Sequence, residues 1–79
     1  MGDSPIEQKV ADVVCRLANL ASLTPEQDYF DAGLASVQAL ELLLEVESAF
    51  GVSLSDEDFA KVRTVRDLSG LITAQGGKA

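Results

Sequence analysis

The chain has no histidine, no tryptophan and a single cysteine among its 79 residues. One cysteine excludes an internal disulfide, and without histidine the usual zinc-binding sets cannot be assembled. No metal site is expected. One tyrosine and three phenylalanines are the only aromatics, so the core has to be built from Leu, Val and Ala. Positive charge is scarce as well. Six Lys and Arg stand against 13 Asp and Glu, for a net charge of −7, and no Lys or Arg occurs between Leu17 and Ala60. That interval holds Glu26, Asp28, Asp31, Glu41, Glu45, Glu47, Asp56, Glu57 and Asp58. A surface of one sign repels nucleic acid and anionic lipid and draws basic protein surfaces towards itself. Simple solubility is the plainer account of the same charge. No apolar run is long enough to span a membrane, and the Met-Gly-Asp-Ser-Pro start lacks the basic end and apolar stretch of a signal peptide. A cytoplasmic, monomeric protein that contacts neither nucleic acid nor membrane is expected.

What is present is enough apolar residue, 47%, for one small domain near the lower limit at which a core holds a fold unaided. Ser4-Pro5-Ile6-Glu7 reads as a capped helix start, with proline at the first helical position. Ile6, Val10, Val13, Val14, Leu17 and Leu20 then recur at helical spacing, which predicts helix I from about Pro5 to Asn19 or Leu20. Cys15 falls opposite this stripe as an exposed or partly exposed bystander thiol. The connection Ala21 to Ala35 is long for so small a domain, and Leu23, Tyr29, Phe30 and Leu34 are its expected pins. Gly33 is expected to supply a positive φ just before the next helix.

Helix II is predicted from about Ser36 to Phe50, stopped by Gly51. It is apolar on two sides. Ala39, Leu42, Leu43, Val46 and Phe50 form a stripe suited to a core. Val37, Leu40 and Leu44 form a second stripe, bordered by Glu41, Glu47 and Ser48. Such a helix is either buried all round or has a second partner, and the bordering glutamates favour the partner. Ser55-Asp-Glu-Asp58 opens a short helix III with Phe59 and Val62 inward, and Thr64-Val-Arg-Asp67 opens helix IV with Val65, Leu68, Leu71 and Ile72 on one face. No strand period, repeat or linker is present. The expected fold is all-α, a four-helix bundle of three main helices and a short third one. One domain would cover 1–79, ordered over about 4–74, with 75–79 a flexible tail.

Few chemistries survive. A serine nucleophile needs a base, and none is at hand near Ser36. An EF-hand-like register starting at Asp28 would put Phe30, Ala32 and Ala39 at ligand positions, where they cannot coordinate. A phosphate-cradling loop lacks its glycines and lysine. What remains is Ser36 itself, after a glycine turn and at the start of a helix. A phosphodiester there would meet unpaired amides and a positive dipole end, although serine is equally a favoured N-cap.

Tyr29-Phe-Asp-Ala-Gly-Leu-Ala-Ser36-Val37, then Leu40-Glu41-Leu42, Glu47 and Phe50-Gly51-Val52, resembles the acyl carrier proteins and their peptidyl-carrier relatives. Leu54 to Asp58 and Thr64 to Leu68 look like that family's third helix and the start of its fourth, so the resemblance runs from about Ile6 to Ile72. It implies a non-enzymatic carrier of acyl-carrier bundle fold. Its Ser36 would receive 4′-phosphopantetheine from coenzyme A through a separate phosphopantetheinyl synthase, and the arm's thiol would hold an acyl or aminoacyl group as a thioester. It also implies partners with basic docking surfaces, namely a loading ligase and downstream transferases or synthases. Val37, Leu40, Glu41, Leu44 and Glu47 match the partner-facing side of helix II, and Val62 matches a position near the arm. The family usually has Asp before the serine and Leu after it, where this chain has Ala35 and Val37. Those departures point towards a specialised carrier rather than a housekeeping fatty-acid one. A different class remains open: a small helical interaction module, or a degenerate carrier homologue, with Ser36 an unmodified cap.

Overall fold

The apolar spacings resolve into helices in the computed structural model, which describes residues 5–77. Helix α1 spans Pro5–Ala18 and buries Val10, Val13 and Val14. It stops at Ala18, one or two residues before the expected end, because Asn19 turns into the left-handed region at φ 59° and the Leu20 amide folds back onto the Cys15 carbonyl at 2.9 Å. The predicted serine cap of this helix lies outside the described residues.

The connection that follows is not purely a loop. Tyr29–Ala32 forms a one-turn helix, α2. Asp28 caps it, its carboxylate accepting from the Phe30 amide at 2.8 Å and the Asp31 amide at 3.2 Å. Four residues carry no readable period, so this turn shows only in its cap. The predicted pins do hold the segment: Tyr29 and Leu34 are buried, and Leu23 and Phe30 pack against the core. Further ties join the segment to the chain far downstream. The Tyr29 amide donates to the Arg63 carbonyl at 2.9 Å, the Arg66 amide to the Pro25 carbonyl at 3.0 Å, and Asp28 and Thr64 form an isolated antiparallel bridge. Gly33, at φ 136°, then sends the chain towards the next helix through a conformation open to glycine.

That helix begins as a 3-10 turn over Ser36–Gln38 and continues as α3 over Ala39–Phe50. Leu42, Leu43, Val46 and Phe50 are buried, and Gly51 closes the helix in the left-handed conformation with its amide on the Glu47 carbonyl. Ser55 caps α4, Asp56–Ala60, through the Asp58 amide at 3.0 Å, and buries Phe59. Thr64 caps α5, Val65–Ala74, through the Asp67 amide at 3.1 Å. Val65, Leu68 and Ile72 face inward, as their spacing predicts.

The core lies where α1, α3 and α5 meet, and Val10, Val14, Tyr29, Leu42, Val46, Val65, Leu68 and Ile72 are its fully buried members. This is the all-α bundle, with the extra turn α2 added. The expected tail, residues 75–79, is described only in its first three residues. The Gln75, Gly76 and Gly77 amides bond back to carbonyls in the last turn of α5, and residues 78–79 lie outside the described part. No helix of the described residues is long and apolar enough to cross a membrane.

Candidate functional site

Ser36 is exposed at the head of the turn leading into α3. It is not the N-cap. Ala35 occupies that position in extended backbone (φ −77°, ψ 149°) and has no side chain able to accept a hydrogen bond. Ser36 Oγ makes no hydrogen bond to any described residue, and the Ser36 and Val37 amides have no backbone partner among them. Those amides are the orphan donors of a helix start. Among the described residues the hydroxyl thus has no partner, and it stands at the positive end of the Ser36–Phe50 helical stretch.

In place of a side-chain cap the turn uses Gln38. Its Oε1 accepts from the Ala35 amide at 2.9 Å, and its Nε2 donates to the Leu17 carbonyl near the end of α1. This contact was not legible beforehand. A Gln three residues after an N-cap is a capping-box signal only when the cap is Ser, Thr, Asp or Asn, and alanine hides it.

The second apolar stripe is in the open. Val37 is 85% exposed, Leu40 61% and Leu44 55%, while Leu42 and Val46 on the opposite side are fully buried. Glu41 is exposed beside the stripe. Glu47 is half-buried, and its carboxylate accepts from the Leu54 amide at 2.8 Å, so it braces the chain leaving α3. Val62, the expected site residue beyond α4, is half-buried against the core. Its carbonyl receives the Tyr29 hydroxyl at 3.3 Å.

The arginines are taken up by acids elsewhere. Arg16 pairs with Glu45 at 2.9 Å, Arg63 with Asp28 at 2.6 Å, and Arg66 with Glu26 at 2.6 Å and Glu7 at 3.6 Å. The hydrogen bond from Arg16 holds the Glu45 carboxyl below its ordinary pKa, and that from Arg63 does the same for Asp28. Lys9 lies 5.7 Å from the centre of the Phe50 ring. Among the described residues, Asp31, Glu41, Asp56, Glu57 and Asp58 form no ion pair. Glu41, beside the exposed stripe, is thus left unneutralised in a chain of net charge −7.

Cys15 is half-exposed, with its thiol pKa raised by burial and by Asp12. It lines a groove of about 410 Å³ together with residues of α1 and the segment Ala21–Pro25, and no residue of α3 or α4 takes part. The groove and the serine turn are separate features. Among the described residues no cluster of His, Cys, Asp or Glu could hold a metal ion.

Comparison with known proteins places this geometry. The fold matches the solved structure of BlmI, a type-II acyl-carrier protein from Streptomyces verticillus involved in bleomycin biosynthesis, with a TM-score of 0.79. The match is 23% identical and covers 87% of this chain and 83% of that one. Residues 8–72 match the family described as the phosphopantetheine attachment site, whose prosthetic group is covalently held 4′-phosphopantetheine. The chain belongs to the phosphopantetheine attachment-site family, and its role is that of a carrier protein.

Proposed function

We propose that Ser36 is the attachment residue and that the Val37, Leu40 and Leu44 stripe with Glu41 is the surface on which partner enzymes dock. The observation that carries this reading is a free, exposed hydroxyl placed one residue before an exposed apolar stripe on a single helical stretch. The residues fit the group. Among the described residues Ser36 Oγ has no competing hydrogen bond and the Ser36 and Val37 amides have no partner, which suits a phosphate oxygen, and the helix dipole favours its charge.

Loading then needs little from this chain. Ser36 Oγ forms a bond to the phosphorus next to the pantetheine of coenzyme A. The pyrophosphate bond breaks, the nucleotide half leaves, and the serine proton passes to a base of the transferase, since no base stands beside Ser36 here. Once in place, the group supplies a thiol on a long arm that holds a carboxylic acid as a thioester. The chain itself contributes binding and orientation. Val37, Leu40 and Leu44 bury apolar area against a partner, and the unpaired acids steer basic rims towards it. Glu47, bordering the stripe, also braces the chain leaving α3 through the Leu54 amide, and Val62 lies just beyond α4.

The partners of this reading are a phosphopantetheinyl synthase, an acyl- or aminoacyl-loading ligase, and downstream transferases or synthases with basic docking surfaces. The carrier itself acts as a monomer in the cytoplasm and catalyses nothing. Ala35 and Val37 in place of the usual Asp and Leu support a specialised pathway, a setting shared with BlmI.

Incubation with coenzyme A and a broad-specificity phosphopantetheinyl transferase, followed by intact-mass measurement, tests the assignment. One pantetheine should be added to the natural chain and none to Ser36→Ala. A gain that persists in Ser36→Ala would move the attachment elsewhere. No gain with several transferases would leave the interaction-module reading.

A further inference from the structure

We infer that Gln38 is the positioning residue of the attachment serine: its side-chain amide fixes the Ser36 turn to the C-terminal end of α1. The inference rests on Ser36 being the attachment residue, and it concerns how that residue is held. A helix start is ordinarily held by its own N-cap side chain. Ala35 has none, and among the described residues Ser36 makes no side-chain hydrogen bond that could replace it. Gln38 fills the gap with both ends of one amide, Oε1 taking the Ala35 amide at 2.9 Å and Nε2 giving to the Leu17 carbonyl.

The two halves differ in kind. The Ala35 contact is local and closes the turn on itself. The Leu17 contact is made to another helix and sets where the turn sits relative to the bundle. The same bond satisfies a carbonyl in the last turn of α1, which has no intrahelical donor of its own. The start of one helix and the end of another are thus joined through one planar group, and Ser36 lies in the chain between Ala35 and Gln38, the two residues of the local bond. Val37, 85% exposed, contributes little packing that would hold it instead. A serine displaced by a fraction of an ångström is a poorer nucleophile towards a substrate bound on another protein, because transfer depends on alignment.

The test uses the full chain, coenzyme A and a broad-specificity transferase. Gln38→Met keeps the length and removes both hydrogen bonds. Gln38→Glu keeps the acceptor for Ala35 and removes the donor to Leu17. In Gln38→Met the kcat of pantetheine transfer should fall about tenfold with KM changed by less than about twofold, the pattern of lost alignment rather than lost docking. Gln38→Glu should fall as well, since the tie to α1 is gone. Hydrogen exchange followed by amide NMR supplies a readout independent of any transferase. The Ala35 amide should lose protection in Gln38→Met and keep it in Gln38→Glu.

Unchanged kcat in both variants, or a loss carried wholly by KM, would overturn the inference while leaving the attachment reading intact. Full Ala35 protection in Gln38→Met would overturn it too. Should the natural chain take no pantetheine at Ser36, the attachment reading fails and this assignment falls with it, even if the exchange data still register the tie. If Gln38→Met does not fold, Gln38→Glu alone decides: a rate equal to that of the natural chain overturns the inference.

Discussion

Glu41 and Glu47 flank the same exposed stripe, yet the structure gives them different work, and substitution should separate them. Glu47 accepts the Leu54 amide at 2.8 Å, and Leu54 is buried at 8% exposure. Glu47→Ala leaves that amide without a partner in a place water reaches poorly. The cost of an unsatisfied buried donor, together with the loss of a charged acceptor, is about 1–3 kcal/mol. A domain of this size loses roughly 4–8 °C of Tm per kcal/mol, so a fall on the order of 10 °C is expected at the middle of that range. Glu47→Gln keeps an oxygen in place and should recover roughly half of the loss, since neutral acceptors are about half as strong. Glu41 is exposed and forms no ion pair among the described residues, so Glu41→Ala should stay within about 0.5 kcal/mol of the natural chain. Docking should rank the other way. Glu41→Lys should slow association with a basic-rimmed partner at low salt and leave the helical circular-dichroism signal intact. Thermal melts followed by circular dichroism give the first comparison, and stopped-flow association gives the second. Equal Tm values for Glu47→Ala and Glu41→Ala would refute the bracing role of Glu47. A normal association rate for Glu41→Lys would refute the docking role of Glu41.

Two further outcomes follow from buried or paired groups. The Tyr29 hydroxyl reaches the Val62 carbonyl at 3.3 Å, so Tyr29→Phe should cost about 1 kcal/mol, read as a Tm shift. Burial, reinforced by Asp28, holds the Tyr29 phenol well above its ordinary pKa. Its contribution is therefore complete below the unfolded value of about 10 and declines as pH rises beyond it, and phenolate absorbance should appear only as the chain unfolds in alkali. Asp28 behaves in the opposite sense. Its carboxyl is held low, chiefly by the hydrogen bond from Arg63, so its contribution is present above the unfolded pKa of about 4 and is lost as pH falls through the depressed folded value. Denaturant melts of the natural chain and of Asp28→Asn should converge in acid, and a constant gap down to low pH would contradict the pairing.

The long helices were legible because burial imposes a period on them. Val10, Val13 and Val14, Leu42, Leu43 and Val46, and Val65, Leu68 and Ile72 are each a 3.6-residue stripe, and each is buried. The exposure of Val37, Leu40 and Leu44 was legible for the same reason, since a helix cannot turn two opposite stripes into one core. Short-range structure was not. α2 is four residues long and is held by Asp28, and the Ser36 turn depends on Gln38 reaching α1. Neither a one-turn helix nor a contact across 21 residues of chain leaves a period to read. Ser36 itself stood out through the order of motifs around it. By position alone a serine there reads first as a cap, and only the structure shows Ala35 in the cap position.

The ties between the α2 segment and the start of α5 change how distance should be measured in this molecule. Tyr29 is held by the Arg63 carbonyl through its amide and by the Val62 carbonyl through its hydroxyl, and Asp28 is clamped by Arg63. The Leu34 amide in turn donates to the Tyr29 carbonyl at 2.9 Å, two residues before Ser36. A chain of hydrogen bonds therefore runs from Val62 and Arg63, in the connection between α4 and α5, to Leu34 at the root of the serine turn. A partner bearing on that connection would press on residues that carry the serine turn.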